Sequence, residues 1–185
     1  MRVPANSESA ARDRYRHFLQ RSLSCVSKAV LRPAQPDRHT DRWVLLCPTD
    51  PIRLKSDSGP DLFLTFEQVF HHGLHPNYPG EYKVFTDAYI YRVRYSETPE
   101  GALFAWHWHP LARPECHIHI GAPHATATDL HKKHVPAGRV SFEEVLLFLI
   151  REMGVSPIKP TWQDDLGDSL QRFETYRSWS GSRKP

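Results

Sequence analysis

Cysteine is scarce in this chain of 185 residues, with three copies at Cys25, Cys47 and Cys116. They are odd in number and widely spaced, and no C-x-x-C step occurs, which argues against a disulfide framework and against a thiolate zinc site. We expect three buried thiols instead. Stability should then come from a hydrophobic core, for which a chain of this length with 39% apolar residues is sufficient.

Long apolar runs are missing too. No stretch approaches about 18 consecutive apolar residues, and the N-terminal segment MRVPANSESAARDRYRH lacks an apolar signal core. We therefore predict neither a membrane span nor secretion, and the cytoplasm is the default location. The length predicts a single α+β domain over residues 1–179, followed by a disordered tail at residues 180–185.

Several motifs of nucleotide-binding proteins and hydrolases are absent. The chain contains no P-loop, no dinucleotide fingerprint and no G-x-S-x-G elbow. Its net charge is +3 with neutral histidines, and the basic residues are scattered apart from Arg92, Arg94 and the pair Lys132 and Lys133. This balance permits an acidic partner such as RNA without demanding one.

Helical patterns occur in several parts of the chain. A capping-box pattern, Thr65-x-x-Gln68, predicts a short helix from Phe66 to His72 that ends at Gly73. A second capping box, S-F-E-E, precedes the apolar run VLLFLI. This second pattern predicts a helix over residues 142–153 that is apolar on almost every side. The other predicted helices have apolar side chains at helical spacing and cover residues 8–23 and 162–173.

The middle of the chain alternates with a period of two, which indicates strands. A short strand is predicted from Trp43 to Cys47, and a long one contains the tyrosines and arginines of residues 89–95. Two more follow at residues 103–109 and 117–120. We therefore predict an α+β fold, with an antiparallel sheet of four to six strands and helices packed on one face.

Histidines are concentrated in these last strands. Seven of the twelve fall between His107 and His134, and four of them form two H-x-H steps, HWH and HIH. If the apolar side chains of the strands stack together, alternation places these four imidazoles on the opposite, polar face. The predicted polar face carries Arg92, Arg94, His107, His109, His117 and His119.

Three functions could use such a face. In metal-independent RNA cleavage, one imidazole removes the proton of a ribose 2′-hydroxyl, a second protonates the leaving oxygen, and arginine stabilises the phosphate charge. Imidazoles on adjacent strands could instead ligate a metal ion. The face could also bind another protein chain and change partner as its histidines become charged. The pattern leaves open whether any reaction occurs there.

Known histidine motifs match incompletely. Gly101, His107, His109, Glu115 and Gly121 come near the first cupin motif, but the last two spacings depart from it and the second motif is missing. The histidine-triad nucleotide-binding motif fails because its third alternating position is Gly121. H-I-H also lacks the Thr or Ser of two-histidine phosphoesterases. These mismatches argue against assigning the chain to any of these three families, but they do not exclude phosphodiester chemistry.

Four segments between residues 82 and 153 form a recognisable succession, namely YIYRVRY, LFAWHWHP, PECHIHIG and HVPAGRVSFEEVLLFLI. This order of a tyrosine-rich strand, a tryptophan-bearing strand, a histidine-alternating strand and a capped apolar helix resembles the TumE-like toxin components of bacterial toxin–antitoxin pairs. The resemblance implies a toxin that acts on RNA or translation and is neutralised by a partner antitoxin. It carries over His117, His119 and His107 as candidate functional residues.

The favoured interpretation is an RNA-acting or other phosphodiester-directed protein, in the form of a toxin-like, metal-independent ribonuclease without a cofactor. The alternatives are a non-catalytic protein-interaction module and a metal-dependent enzyme with a histidine-rich site. The expected acid/base residues are His107, His109, His117 and His119. The expected phosphate contacts are Arg92, Arg94, Lys132 and Lys133.

Overall fold

The computed structural model of this protein describes residues 5–37, 41–47, 51–57, 59–97, 102–110, 113–121 and 135–176. The tail predicted at residues 180–185 lies outside this range. Among the described residues no helix has the length and apolar character needed to cross a bilayer. In chain order the elements are α1 (Glu8–Leu23), β1 (Gln35–Pro36), β2 (Trp43–Leu46), β3 (Ile52–Leu54), β4 (Leu62–Leu74), β5 (Tyr82–Arg94), β6 (Ala102–His109), β7 (Arg113–Ile120), β8 (Val135–Pro136), α2 (Phe142–Arg151) and α3 (Trp162–Tyr176).

The strands form one antiparallel sheet in the order β1-β2-β4-β5-β6-β7-β8, with β3 paired to β4 beside β2. Strands β4 to β7 are neighbours in both sequence and space. Strands β5, β6 and β7 are the three consecutive strands that the alternation predicts, and β4 extends the series. The α+β fold is therefore confirmed. The described sheet has eight strands rather than four to six because β4 and three very short strands join it.

The helix predicted from Phe66 to His72 is wrong, because these residues belong to the 13-residue strand β4. The two side chains of the supposed capping box make contacts across the sheet. Thr65 Oγ1 accepts a hydrogen bond of 3.0 Å from Arg94 Nη2, and Gln68 donates to the Tyr91 hydroxyl. Pairing on both edges of β4 therefore outweighs a capping pattern that depends on only four residues.

The other helix predictions are confirmed. Helix α1 spans the predicted residues, and the side chain of Ser7 caps it by accepting from the backbone N–H of Ala10 at 3.2 Å. At the start of α2, Ser141 and Glu144 form the predicted capping box. Helix α3 begins at Trp162 and buries Leu166.

The helices cover one face of the sheet, which we call the helix face. The ring of Phe142 contacts Phe66 at a centroid distance of 4.7 Å, and the ring of Tyr15 contacts Phe70 at 5.2 Å. Phe148 packs similarly against β6. Because side chains alternate along each strand, the opposite face receives the polar residues of β5, β6 and β7. We call this second surface the histidine face, and it carries Arg92, His107, His117 and His119.

Gly121 permits the close approach of β7 to β6 at the end of the sheet. Its N–H donates to the carbonyl of Leu103 at 2.8 Å, and an added Cβ would lie 1.4 Å from the carbonyl oxygen of Ala102. We therefore expect Gly121→Ala to destabilise the fold by about 1–3 kcal/mol or more, measured by denaturant unfolding. Gly167 in α3 is the matched control, because a Cβ there meets nothing within 4 Å, and Gly167→Ala should stabilise by roughly 0.5–1 kcal/mol. Equal effects of the two changes would contradict this packing.

Because three tyrosines are buried, we predict that the folded protein loses stability at alkaline pH. Burial raises the pKa of Tyr15, Tyr89 and Tyr91 above the ordinary value of 10.0. Above about pH 10 the unfolded chain releases these protons while the folded chain retains them, so the free energy of unfolding falls as the pH rises. Denaturant unfolding from about pH 8 to about pH 11 should show this decline, and Tyr91→Phe should reduce its slope. Ionisation of all tyrosines before unfolding, seen by tyrosinate absorbance, would contradict the assignment.

Candidate functional site

The two H-x-H steps meet on the histidine face because β6 and β7 pair in antiparallel register. His107 lies opposite His117, and Ala105 lies opposite His119. Alternation sends Trp106 and the other apolar side chains to the helix face, as the sequence predicts. The structure therefore brings the predicted histidines together, although their roles stay predictions.

Four imidazole rings lie around one another, with His107 in contact with each of the other three. The ring centroid of His107 lies 4.9 Å from that of His119, 5.6 Å from that of His117 and 5.8 Å from that of His109. The rings of His117 and His119 are 5.0 Å apart. Each ring is therefore within reach of a group that bridges two of them.

Three of these residues form a tighter group. One ring nitrogen from each of His107, His117 and His119 lies within 4.8 Å of the others, and the His117 side chain is only 6% exposed. His109 stands apart because the register shifts between His107 and His109, so that His109 pairs with Arg113. Alternation alone does not reveal this shift.

His107 is held in its neutral form. Burial, with smaller effects from Arg92 and the other imidazoles, lowers its pKa from 6.5 to about 3. Its Nε2 atom is buried and has no hydrogen-bond partner among the described residues. Leaving such an atom unsatisfied costs about 1–3 kcal/mol, which a ligand on this nitrogen would offset.

His117 is oriented by the backbone. Its Nδ1 lies 3.2 Å from the carbonyl oxygen of Glu115, so the Nδ1–H donates and the Nε2 lone pair is the one that a ligand would meet. Histidines that bind metals usually make this kind of second contact, because it fixes the tautomer and the ring orientation.

Strand β4 adds a carboxylate near the cluster that the sequence analysis missed. Glu67 pairs with Ile90, which pairs with His107 in the next strand. Burial lowers the pKa of His109, while the charge of Glu67 raises it in part. The misassignment of β4 as a helix concealed Glu67, although Leu62, Leu64 and Phe66 alternate as a strand requires.

The predicted phosphate contacts are separated by the structure. Arg92 lies beside the cluster, opposite Ala105, and its charge lowers the pKa of His107. Arg94 is 8% exposed, pairs with Ala102 farther from the histidines, and donates to Thr65. Lys132 and Lys133 lie outside the described residues.

Compared with known proteins, the chain matches no family model, no curated protein and no solved structure. The chemistry of the site must therefore be argued from its geometry. Three imidazole nitrogens this close together can bind a divalent ion of the zinc type. A histidine that acts as a general acid at neutral pH must be in its charged form. The lowered pKa of His107 does not fit this role.

Proposed function

We propose that this protein is a metal-dependent enzyme whose divalent ion is held by His107, His117 and His119. The observation that carries the proposal is the common approach of three ring nitrogens, one from each residue, to within 4.8 Å. Two further observations support it, namely the buried, unpartnered Nε2 of His107 and the backbone contact that orients His117.

Such a ligand set suits hydrolysis. Three neutral imidazoles would leave the full positive charge on a bound ion, and three protein ligands would leave a position for water. Such an ion would supply activation of water near neutral pH. The proposed reaction is therefore attack of water on an electrophilic centre.

A phosphodiester, with RNA as the substrate class, is the proposed target. Arg92 supports this choice because its guanidinium lies on the histidine face and would bind a phosphate oxygen. The resemblance of residues 82–153 to TumE-like toxins stays a prediction, as does a partner antitoxin.

Metal binding can be measured directly. Metal-free protein titrated with Co²⁺ should develop visible absorption bands of a protein-bound ion, and calorimetry with Zn²⁺ should give one site per chain. His107→Gln and His119→Gln should each weaken binding by at least about 100-fold, because each removes a ligand. His17→Gln is the matched control, since His17 is exposed on α1, and it should bind as the parent does. Equal affinities of all variants would refute the metal centre.

Metal-independent RNA cleavage is the second candidate. The close contact of His107 and His119 from neighbouring strands, beside Arg92, favours it. His107 would remain neutral and act only as a proton acceptor, so another imidazole would have to protonate the leaving oxygen.

A cleavage assay separates the two candidates. Labelled RNA is incubated with the parent protein and with the double variant His117→Ala, His119→Ala, each with a chelator and again with added Zn²⁺. The metal-dependent proposal predicts cleavage that the chelator abolishes and Zn²⁺ restores in the parent alone. Cleavage by the parent that persists in chelator, and is lost in the double variant, would favour the second candidate. Equal cleavage by both proteins would eliminate the site.

A further inference from the structure

A second concave site lies on the helix face, on the side of the sheet opposite the histidines. It is a cavity of about 660 Å³, partly open to solvent and lined by α1, by strands β4 to β6, by the start of α2 and by the end of α3. Pockets that enclose small organic molecules have volumes in this range. The cavity is therefore large enough for a ligand independent of the histidine face.

The inner wall of the cavity is aromatic. Tyr89, Tyr91 and Phe142 are each less than 5% exposed. The two tyrosine rings stack at a centroid distance of 4.8 Å, and the tilted ring of Phe142 contacts Tyr91 at 5.6 Å. Phe18 and Phe173 contribute to the lining from α1 and α3. An apolar molecular body would be desolvated favourably against these rings.

Trp108 lies in this wall and carries an unsatisfied hydrogen-bond donor. Its side chain is 3% exposed and lines the cavity, and its indole Nε1 is buried with no hydrogen-bond partner among the described residues. The guanidinium of Arg139 lies 3.4 Å from the centroid of the same ring and also lines the cavity. An acceptor that reached the indole N–H would therefore be close to a positive charge.

The charge of the lining favours an anion. Five cationic side chains line the cavity, namely Arg14, Arg21, Lys83, Arg139 and Arg172, whereas the carboxylates are Glu81 and Glu143. Arg21 is already ion-paired with Asp165 and Asp168, so the other four carry the excess positive charge. Glu143 already accepts hydrogen bonds from Ser22 at 2.9 Å and Ser169 at 2.8 Å. Burial lowers the pKa of Lys83 and of Arg139, and a bound anion would oppose this effect.

We propose that this cavity binds a small organic anion with an apolar body, such as an acyl or aromatic carboxylate. The acid group binds the guanidinium of Arg139 and, after a small shift of the Trp108 side chain, accepts a hydrogen bond from the indole N–H, which is buried in the ligand-free structure. The apolar body lies against Tyr89, Tyr91 and Phe142. The shared requirement is one anionic group attached to a body that fits an aromatic wall.

Binding can be measured by competition with the fluorescent anion 8-anilinonaphthalene-1-sulfonate. The three competitors are octanoate, octan-1-ol and octylammonium, which have the same chain length and differ in charge. Octanoate should displace the probe at a concentration at least about tenfold lower than the alcohol or the amine, because hydrogen bonds to charged groups are the stronger ones. Equal displacement by all three would overturn the proposal, because the site would then be apolar without charge preference.

Variants locate the binding site. Trp108→Phe removes the indole N–H and should weaken octanoate binding by about tenfold. Arg139→Gln removes the guanidinium and should weaken it to the same extent. Trp106→Phe is the matched control, because Trp106 shares the helix face without lining the cavity, and its octanoate affinity should equal that of the parent. Equal octanoate affinities of Trp108→Phe and Trp106→Phe, with cooperative thermal unfolding in both, would contradict the assigned contact.

The octanoate site should be independent of the proposed metal centre. His107→Gln, and the parent protein in chelator, should therefore bind octanoate as tightly as the untreated parent does. A loss of octanoate affinity in either would refute an independent site.

Discussion

The antiparallel pairing of β6 with β7 is the constraint on which the rest of the structure depends. It sets His107 opposite His117 and Ala105 opposite His119, so side chains from two strands meet on one face. A slip of one residue would exchange the imidazoles with the apolar side chains of the same strands. Burial of Trp106 and Trp108 on the helix face opposes this slip. The hydrophobic core therefore fixes the positions of the polar groups.

Strand alternation carries much of the information about the site, because it depends only on neighbouring residues. It was sufficient to predict strands β5 to β7 and the common face of the histidines. It could not predict that His109 would diverge from the other three, since the register shift beside it is a local irregularity of backbone pairing. The prediction failed for β4, where a short capping pattern competed with pairing to distant strands, and that failure concealed Glu67.

The helix-face cavity shows a different limit of sequence reasoning. Its walls come from α1, the sheet, α2 and α3, which span most of the described chain. Arg139 covers the ring of Trp108 although 31 positions separate the two numbers, and no short motif connects them. Enclosure of this kind depends on how distant elements pack. Strand β6 still links the two sites, because successive residues such as His107 and Trp108 serve opposite faces.

The charges around the histidines bear on which ligands can be present together. Arg92 lowers the pKa of His107, so its positive charge also opposes a divalent ion held by the three imidazoles. Neutral ligands do not reduce the charge of the ion, and Glu67 lies two strands away from His107. The repulsion between Arg92 and the ion decreases when an anion lies between them, as hydroxide or a phosphate oxygen would. Under the proposed function, an ion held by the three imidazoles would activate water, and Arg92 would bind a phosphate oxygen of the same substrate. A purely structural ion would gain nothing from Arg92, so the position of Arg92 would fit a catalytic role for such an ion.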